Sequence, residues 1–426
     1  MSEETRRGRA EENPASGRVR GVLWGSNQEV VRLTDRYVMK TYGRFPIAPV
    51  KGQGCRLWDA DGRAYLDFVA GLAVCNLGHC HPRVVRAIQE QAECLLHVSN
   101  LYHIPWQSAL AQRIVEHSFG DRVFFCNSGA EANEAAIKLV RRYERDIRKG
   151  KRFEILAMEN SFHGRTLATV TATGQEKFKK GFDPLVPGFR HVPFDDRDAL
   201  LKAVGDETCA ILVEPIQGEG GVICPGDDYL PFLRSLCDER ELLLVFDEVQ
   251  VGIGRTGTLF AYEPFGVAPD IMTLAKGLAG GIPIGATVAT ERVAAAFTPG
   301  SHASTFGGNP LAAAAGLAAL EVILEEGVLE NCRRSGLHLR QGLERVALRH
   351  PDRVREVRGR GLIQAMDLTG PGTPVVETCM SEGLLINCTA ETVLRFLPPL
   401  IVTTEEVDEM LEILDRALSS TCQGAG

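Results

Sequence analysis

Four short apolar runs between residues 120 and 280 share one pattern. VFFC ends at Asn127-Ser128, CAILVEP at Glu214, LLLVFDE at Asp247 and DIMTLAK at Lys276. Each is β-branched or aromatic and none alternates with polar residues, which predicts strands buried on both faces. Helical patterns separate them, AEANEAAIKLVRRYERDI after the first and DYLPFLRSLCDERE before the third. Strand–helix alternation predicts an α/β fold, a mostly parallel sheet with helices on both faces. Such sheets bind ligands beyond the carboxyl ends of their strands. All four runs carry a polar or ionisable residue there, which points to one shared site.

The flanks differ in texture. GCRLWDADGRAYLDF predicts a β-hairpin turning at Asp61-Gly62, and the alanine-rich LAAAAGLAALEVIL from Leu311 predicts a packed helix. An α+β segment follows through VREVRGRGLIQAMDL and VLRFLPPL. The expected organisation is a disordered tail (1–25), a large domain (83–310) and a smaller α+β domain built from both ends, 26–82 and 311–426. The first residues mix both charge signs and lack the apolar stretch of a signal peptide.

Composition narrows the function. The 426 residues are 44% hydrophobic and 24% charged, ordinary for a globular enzyme. A net charge of −8 argues against nucleic acid or an anionic membrane as partner. No apolar run approaches the ~20 residues of a membrane span. The 12 cysteines show no C-x-x-C spacing, which fits reduced thiols and a cytoplasmic protein.

The tip of the third run, Asp247-Glu248, fits three chemistries. A P-loop ATPase needs G-x-x-x-x-G-K-[ST], which is missing, since Lys151 after Gly150 lacks both the upstream glycine and the hydroxyl. A Rossmann unit would open a helix after GIGRTG (Gly252–Gly257), but Pro264 and Pro269 interrupt the stretch that follows. A pyridoxal-phosphate (PLP) enzyme needs a lysine, an acid and a phosphate cradle. Lys276 ends a buried run, where desolvation lowers an amine's pKa toward the free base that Schiff-base chemistry requires. Gly277 beside it leaves room for a bulky cofactor. At Asn127-Ser-Gly-Ala-Glu-Ala a strand turns at Gly129 into a helix whose N-terminus suits an anion. Ser128 and Glu131 also form S-x-x-E, an ordinary capping box.

With these residues in place, the chain resembles the class III, fold-type I PLP aminotransferases, most closely their N-acetylornithine branch. The motifs that carry the resemblance are YGRFP at Tyr42, GHCHP at Gly78, NSGAEANEAAIKL at Asn127, SFHGRT at Ser161 and VEPIQGEGGV at Val213. They continue with LLVFDEVQ at Leu243, GRTG at Gly254, AKGLAGG at Ala275, STFGGNP at Ser304 and VLRFLPP at Val393. The similarity spans roughly residues 40 to 417.

The resemblance implies roles. Lys276 would carry the cofactor and shuttle a proton, Asp247 would pair with the pyridinium nitrogen, and Gln250 would bond the phenolic oxygen. Phe162 would stack on the ring, while Ser128, Gly129 and Ala130 hold the phosphate. Thr305 would reach the phosphate of a neighbouring subunit, so a homodimer is expected. Arg165 would clamp a distal carboxylate and Arg395 the α-carboxylate of glutamate. Glu219 would neutralise Arg395 when no carboxylate is near, and Ser304 would lie near the distal part of the substrate. The expected reaction moves an amino group from N-acetylornithine to 2-oxoglutarate, giving glutamate. Ornithine, succinylornithine and 4-aminobutyrate are the rival amines. Val251 and Ala303 depart from the family pattern at positions expected near the cofactor. The His79–His81 run, with Cys75 nearby, is read as structural, without a metal.

Overall fold

The computed structural model describes residues 25–420 and the backbone of two short paired strands, Arg18–Val19 and Val22–Leu23. The remainder of the expected tail lies outside the described residues. The central sheet has seven strands: β1 (Arg122–Cys126), β2 (Glu154–Met158), β3 (Phe189–Val192), β4 (Thr208–Val213), β5 (Leu243–Asp247), β6 (Ile271–Leu274) and β7 (Gly285–Ala289). Their order is β1-β7-β6-β5-β4-β2-β3. Strands β3, β2, β4, β5 and β6 pair in parallel, and β7 runs antiparallel to both β6 and β1. The four apolar runs are β1, β4, β5 and β6, so their polar ends gather on one edge of the sheet, as the pattern predicts.

Residue parity explains why these runs do not alternate. In β5, Leu244 and Phe246 join one hydrophobic cluster, whereas Leu243 and Val245 join another. The same split divides Ile211 and Val213 from Ala210 and Leu212 in β4. Each strand is therefore apolar at every position because both of its faces are covered. Helix α1 (Gly129–Arg142) covers the face of Leu243 and Val245, with Ala136, Ile137 and Val140 buried against it. Parity continues past the strand: Asp247 belongs to the α1 face and Glu248 to the other.

Two smaller four-stranded sheets flank the first. One contains the hairpin Arg56–Asp59 and Ala64–Asp67, whose turn is closed by Gly62 N donating to Asp59 O and Asp59 N to Arg63 O. Leu384–Leu385 pairs in parallel with Ala64–Asp67, so segments from both ends of the chain share that sheet. The other is antiparallel and includes Ile363–Leu368 and Val393–Phe396. The alanine-rich helix spans Pro310–Glu325 and is buried along most of its length. Among the described residues, no helix is long and apolar enough to cross a membrane.

Candidate active site

A cavity of about 410 Å³ opens where β1, β4, β5 and β6 end, lined by Ser128, Gly129, Phe162, Arg165, Asp247 and Lys276 among others. Asp247 is 3% exposed and held on every side. Its Oδ2 accepts from Asn133 Nδ2 at 2.7 Å and lies 2.7 Å from His163 Nδ1, while Oδ1 accepts from Val249 N at 3.0 Å. Asn133 is itself fixed, because Thr273 Oγ1 donates to its Oδ1 at 2.8 Å. Glu248, on the opposite face, turns away and accepts from Ala261 N at 2.6 Å and Tyr262 N at 2.8 Å. Burial pushes its carboxyl up to about 8. Asp247 alone of the two faces the cavity.

Lys276 follows β6 with φ 44°, a left-handed conformation that costs a non-glycine residue of order 1–3 kcal/mol and that clusters at functional sites. Burial holds its amine below the ordinary lysine value, and Glu219 offsets this only in part. Opposite, Ser128 caps α1 by accepting from Glu131 N at 3.2 Å. The capping box is shifted: Glu131 Oε2 accepts from Asn127 N and Nδ2, one residue before the cap. The first-turn amides of Gly129 and Ala130 have no intrahelical acceptor and lie at the cavity wall. A Cβ on Gly129 would come within 2.5 Å of Val249 Cγ1, so the close approach of α1 to the strand tip requires glycine.

A buried polar cluster forms the far wall. Arg395, in Val393–Phe396, is wholly buried and donates through its Nη1 to Glu219 Oε1 at 2.7 Å, Gln250 Oε1 at 3.0 Å and Gly218 O at 3.1 Å. Gln250 Nε2 donates back to Glu219 at 3.2 Å. Burial raises the Glu219 carboxyl, but Arg395 and then Lys276 outweigh it and leave its pKa below the usual range. The Gln250 amide is thus engaged by the ion pair. Arg165 differs: it is exposed at the cavity mouth, and among the described residues no carboxylate pairs with it. Phe162, also at the wall, has its backbone N–H held by Glu214 Oε2 at 3.0 Å.

Within one chain, Ser304 and Thr305 line not this cavity but a second one, of about 330 Å³, with Ala303, His302 and Glu134. Ser304 Oγ accepts from Gly307 N at 2.9 Å and from Nδ2 of Asn127, which lines both cavities, at 3.3 Å. The expectations for Val251 and Gly277 need correction. Val251 is buried in an apolar cluster with Ile216 and Ala261 and also leaves the wall. The room beside Gly277 belongs to Asn76, whose Nδ2 stands 2.3 Å from where a Cβ would be, and not to a ligand. GIGRTG is a loop whose Arg255 is wholly buried, donating to Leu362 O at 3.0 Å and Asn76 Oδ1 at 2.6 Å. His79 pairs with Asp67 at 2.7 Å and His81 faces Glu326 at 4.0 Å. Among the described residues, no three His, Cys, Asp or Glu side chains gather as a metal-ligand set.

Sequence reasoning also missed participants. Asn133 and His163 sit inside motifs that carried the resemblance, yet neither was given a role. A signal for Asn133 exists: it is a polar residue on the apolar, buried face of α1. Glu214, the polar end of β4, is buried at the wall. Desolvation, only partly opposed by His163, raises it to about 7.

Comparison with known proteins identifies the family. The Aminotransferase class-III family matches residues 37–418. The chain belongs to that family. It is 56% identical to the acetylornithine aminotransferase of Caldanaerobacter subterraneus subsp. tengcongensis, over 90% of this chain and 98% of that protein. With the acetylornithine aminotransferase of Methanocaldococcus jannaschii it shares 49% identity over 92% and 99% of the two chains. Among solved structures, the ornithine aminotransferase of Toxoplasma gondii superposes with a TM-score of 0.90 at 34% identity, covering 93% of this chain and 96% of that one. The acetylornithine aminotransferase of Elizabethkingia anophelis gives 0.83 at 32% identity, covering 93% and 99%. The aminotransferase has the fold-type I architecture of PLP-dependent enzymes, as the resemblance implies.

Proposed function

We propose that this aminotransferase transfers the terminal amino group of N-acetylornithine to 2-oxoglutarate, giving N-acetylglutamate semialdehyde and glutamate, with PLP as cofactor. The observation that carries the reading is the buried Arg395–Glu219 pair, 2.7 Å apart, beside the cavity that holds Lys276. An enzyme that takes its amine from either end of a substrate must face a carboxylate in one half-reaction and a bare CH₂ in the other. A buried arginine that can exchange Glu219 for a substrate carboxylate meets both demands. The names of relatives at 49–56% identity support N-acetylornithine as the amine.

The residues fit PLP on three counts. The helix N-terminus at Gly129 and Ala130 offers amides to a phosphate, and a side chain at Gly129 would displace Val249 from the same wall. Asp247 is a buried carboxylate suited to a pyridinium nitrogen. Phe162 offers an aromatic ring at the wall. When bound, PLP supplies a carbonyl to receive the amino group and a ring that withdraws electrons. The chain supplies the rest. Lys276, whose proton affinity is lowered by burial, holds and moves a proton at Nζ. Asn133 and His163 keep Asp247 oriented, and Arg165 receives the distal carboxylate common to both substrates.

The working unit in this reading is a cytoplasmic homodimer. It draws support from Ser304 and Thr305 lying outside the cavity of their own chain, and from exposed apolar residues such as Leu101, Tyr102 and Phe306. The division into a large domain, 83–310, and a small one from both ends remains part of the proposal, supported by the sheet shared between Ala64–Asp67 and Leu384–Leu385. Ornithine is the second amine considered, because the Toxoplasma gondii enzyme superposes so closely. Incubating the PLP-loaded protein with N-acetylornithine and 2-oxoglutarate tests the reaction. Stoichiometric glutamate and semialdehyde are expected, and no glutamate would refute it.

A further inference from the structure

Among the described residues Arg165 has no carboxylate partner, and it rests instead on an aromatic ring that no strand tip supplies. Its guanidinium carbon lies 4.0 Å from the centroid of Phe178 and 5.5 Å from that of Phe162. The two rings meet edge to face, 5.6 Å apart at 85°. Phe178 ends the short turn Glu176–Phe178. The next residue, Lys179, is buried and pairs with Glu176, at the start of the same turn, at 2.9 Å. Lys177 Nζ lies 5.0 Å from the same ring.

A long exposed arginine has many rotamers, and binding a carboxylate must select one. An acidic neighbour would select it too, but would occupy the same N–H groups and cancel the charge. A ring face restricts the guanidinium while leaving its in-plane donors free for a bidentate carboxylate. Phe162 stands at the cavity wall, so the pair of rings ties the arginine's position to the reacting end of the site.

We propose that Phe178 is a positioning residue for the distal-carboxylate subsite, holding Arg165 by its ring face and thereby setting the preference for substrates that carry that carboxylate. The proposal rests on Arg165 being the distal clamp. It goes beyond that reading in assigning the specificity partly to a residue that touches no substrate.

The test compares N-acetylornithine with N-(4-aminobutyl)acetamide, the same amine without its carboxylate, in single turnovers of the PLP-loaded enzyme. Arg165→Ala should lower the ratio of kcat/KM between the two amines about 10- to 100-fold. Phe178→Ala and Phe178→Leu should each lower that ratio about 2- to 5-fold, through KM, whereas Phe178→Tyr should restore it. The dissociation constant of glutarate, a non-reacting dicarboxylate, should rise by the same factor in the alanine and leucine variants. If Arg165→Ala leaves the ratio unchanged, the clamp reading itself fails. If Arg165→Ala lowers the ratio but Phe178→Leu matches wild type, or the Phe178 variants slow both amines equally, Phe178 only fills space and the proposal is overturned.

Discussion

Replacing Glu219 with alanine leaves Arg395 buried with three neutral acceptors: Gly218 O, Gln250 Oε1 and Asn387 Oδ1. The arginine side chain is 1% exposed and that of Glu219 26%. Breaking a fully buried ion pair costs about 3–5 kcal/mol. Partial exposure of Glu219 and the remaining acceptors reduce this toward the ~1.5–3 kcal/mol of one charged hydrogen bond. That corresponds to about 10- to 150-fold. The loss belongs to only one half of the reaction. With N-acetylornithine bound, Arg395 would face CH₂ and need Glu219. With glutamate bound, the substrate carboxylate would take that place and the removal of Glu219 would remove a competitor. Glu219→Ala should therefore slow the N-acetylornithine half-reaction by roughly one to two orders of magnitude and leave the glutamate half equal or faster. Arg395→Ala should chiefly damage the glutamate half. Stopped-flow absorbance of the bound cofactor follows each half separately. Equal losses in both halves for both variants would mean that the pair only holds structure.

Further outcomes follow from the same geometry. Lys276→Ala should retain PLP at the phosphate cradle yet lose several orders of magnitude in turnover, because nucleophile and proton carrier vanish together; absorbance spectra and single-turnover rates check both. Asp247→Asn should lose turnover more than cofactor affinity, and Glu248→Gln should keep turnover, since Glu248 lies off the cavity and accepts from the Ala261 and Tyr262 amides; the reverse pattern in kcat would exchange the two carboxylates. Glu248 also makes a stability prediction. Burial raises its pKa in the folded chain to about 8, so the native state holds the proton more tightly than the unfolded chain. Its contribution to stability should fall as pH rises from about 5 to 8, and the urea midpoint of wild type relative to Glu248→Gln should decline across that window. A constant difference would refute the raised pKa. Gly129→Ala should destabilise the fold by about 1–3 kcal/mol, because its Cβ would stand 2.5 Å from Val249 Cγ1; a denaturant midpoint equal to wild type would contradict that contact.

Features of the fold that were legible in the sequence were local. The absence of alternation in LLLVFD marks a strand covered on both faces, and the two-residue period of a strand sends Asp247 and Glu248 to opposite faces. The contacts around Asp247 were not legible, because Asn133, His163 and Thr273 arrive from three elements and meet only in the folded chain. Gly277 shows the same limit. Its small size suggested room for a ligand, but the space is taken by Asn76, 201 residues earlier by number (277 − 76). Arg255 lies in the glycine-rich GIGRTG loop. Its burial depends on Leu362, Pro398 and Asn76, which no local pattern could reveal.

The choice of amine is tested by kcat/KM for N-acetylornithine, ornithine and 4-aminobutyrate, each with saturating 2-oxoglutarate and the PLP-loaded enzyme. N-acetylornithine should exceed both others by at least about tenfold, a difference of about 1.4 kcal/mol in transition-state stabilisation. Ornithine or 4-aminobutyrate turning over as efficiently as N-acetylornithine would contradict the account.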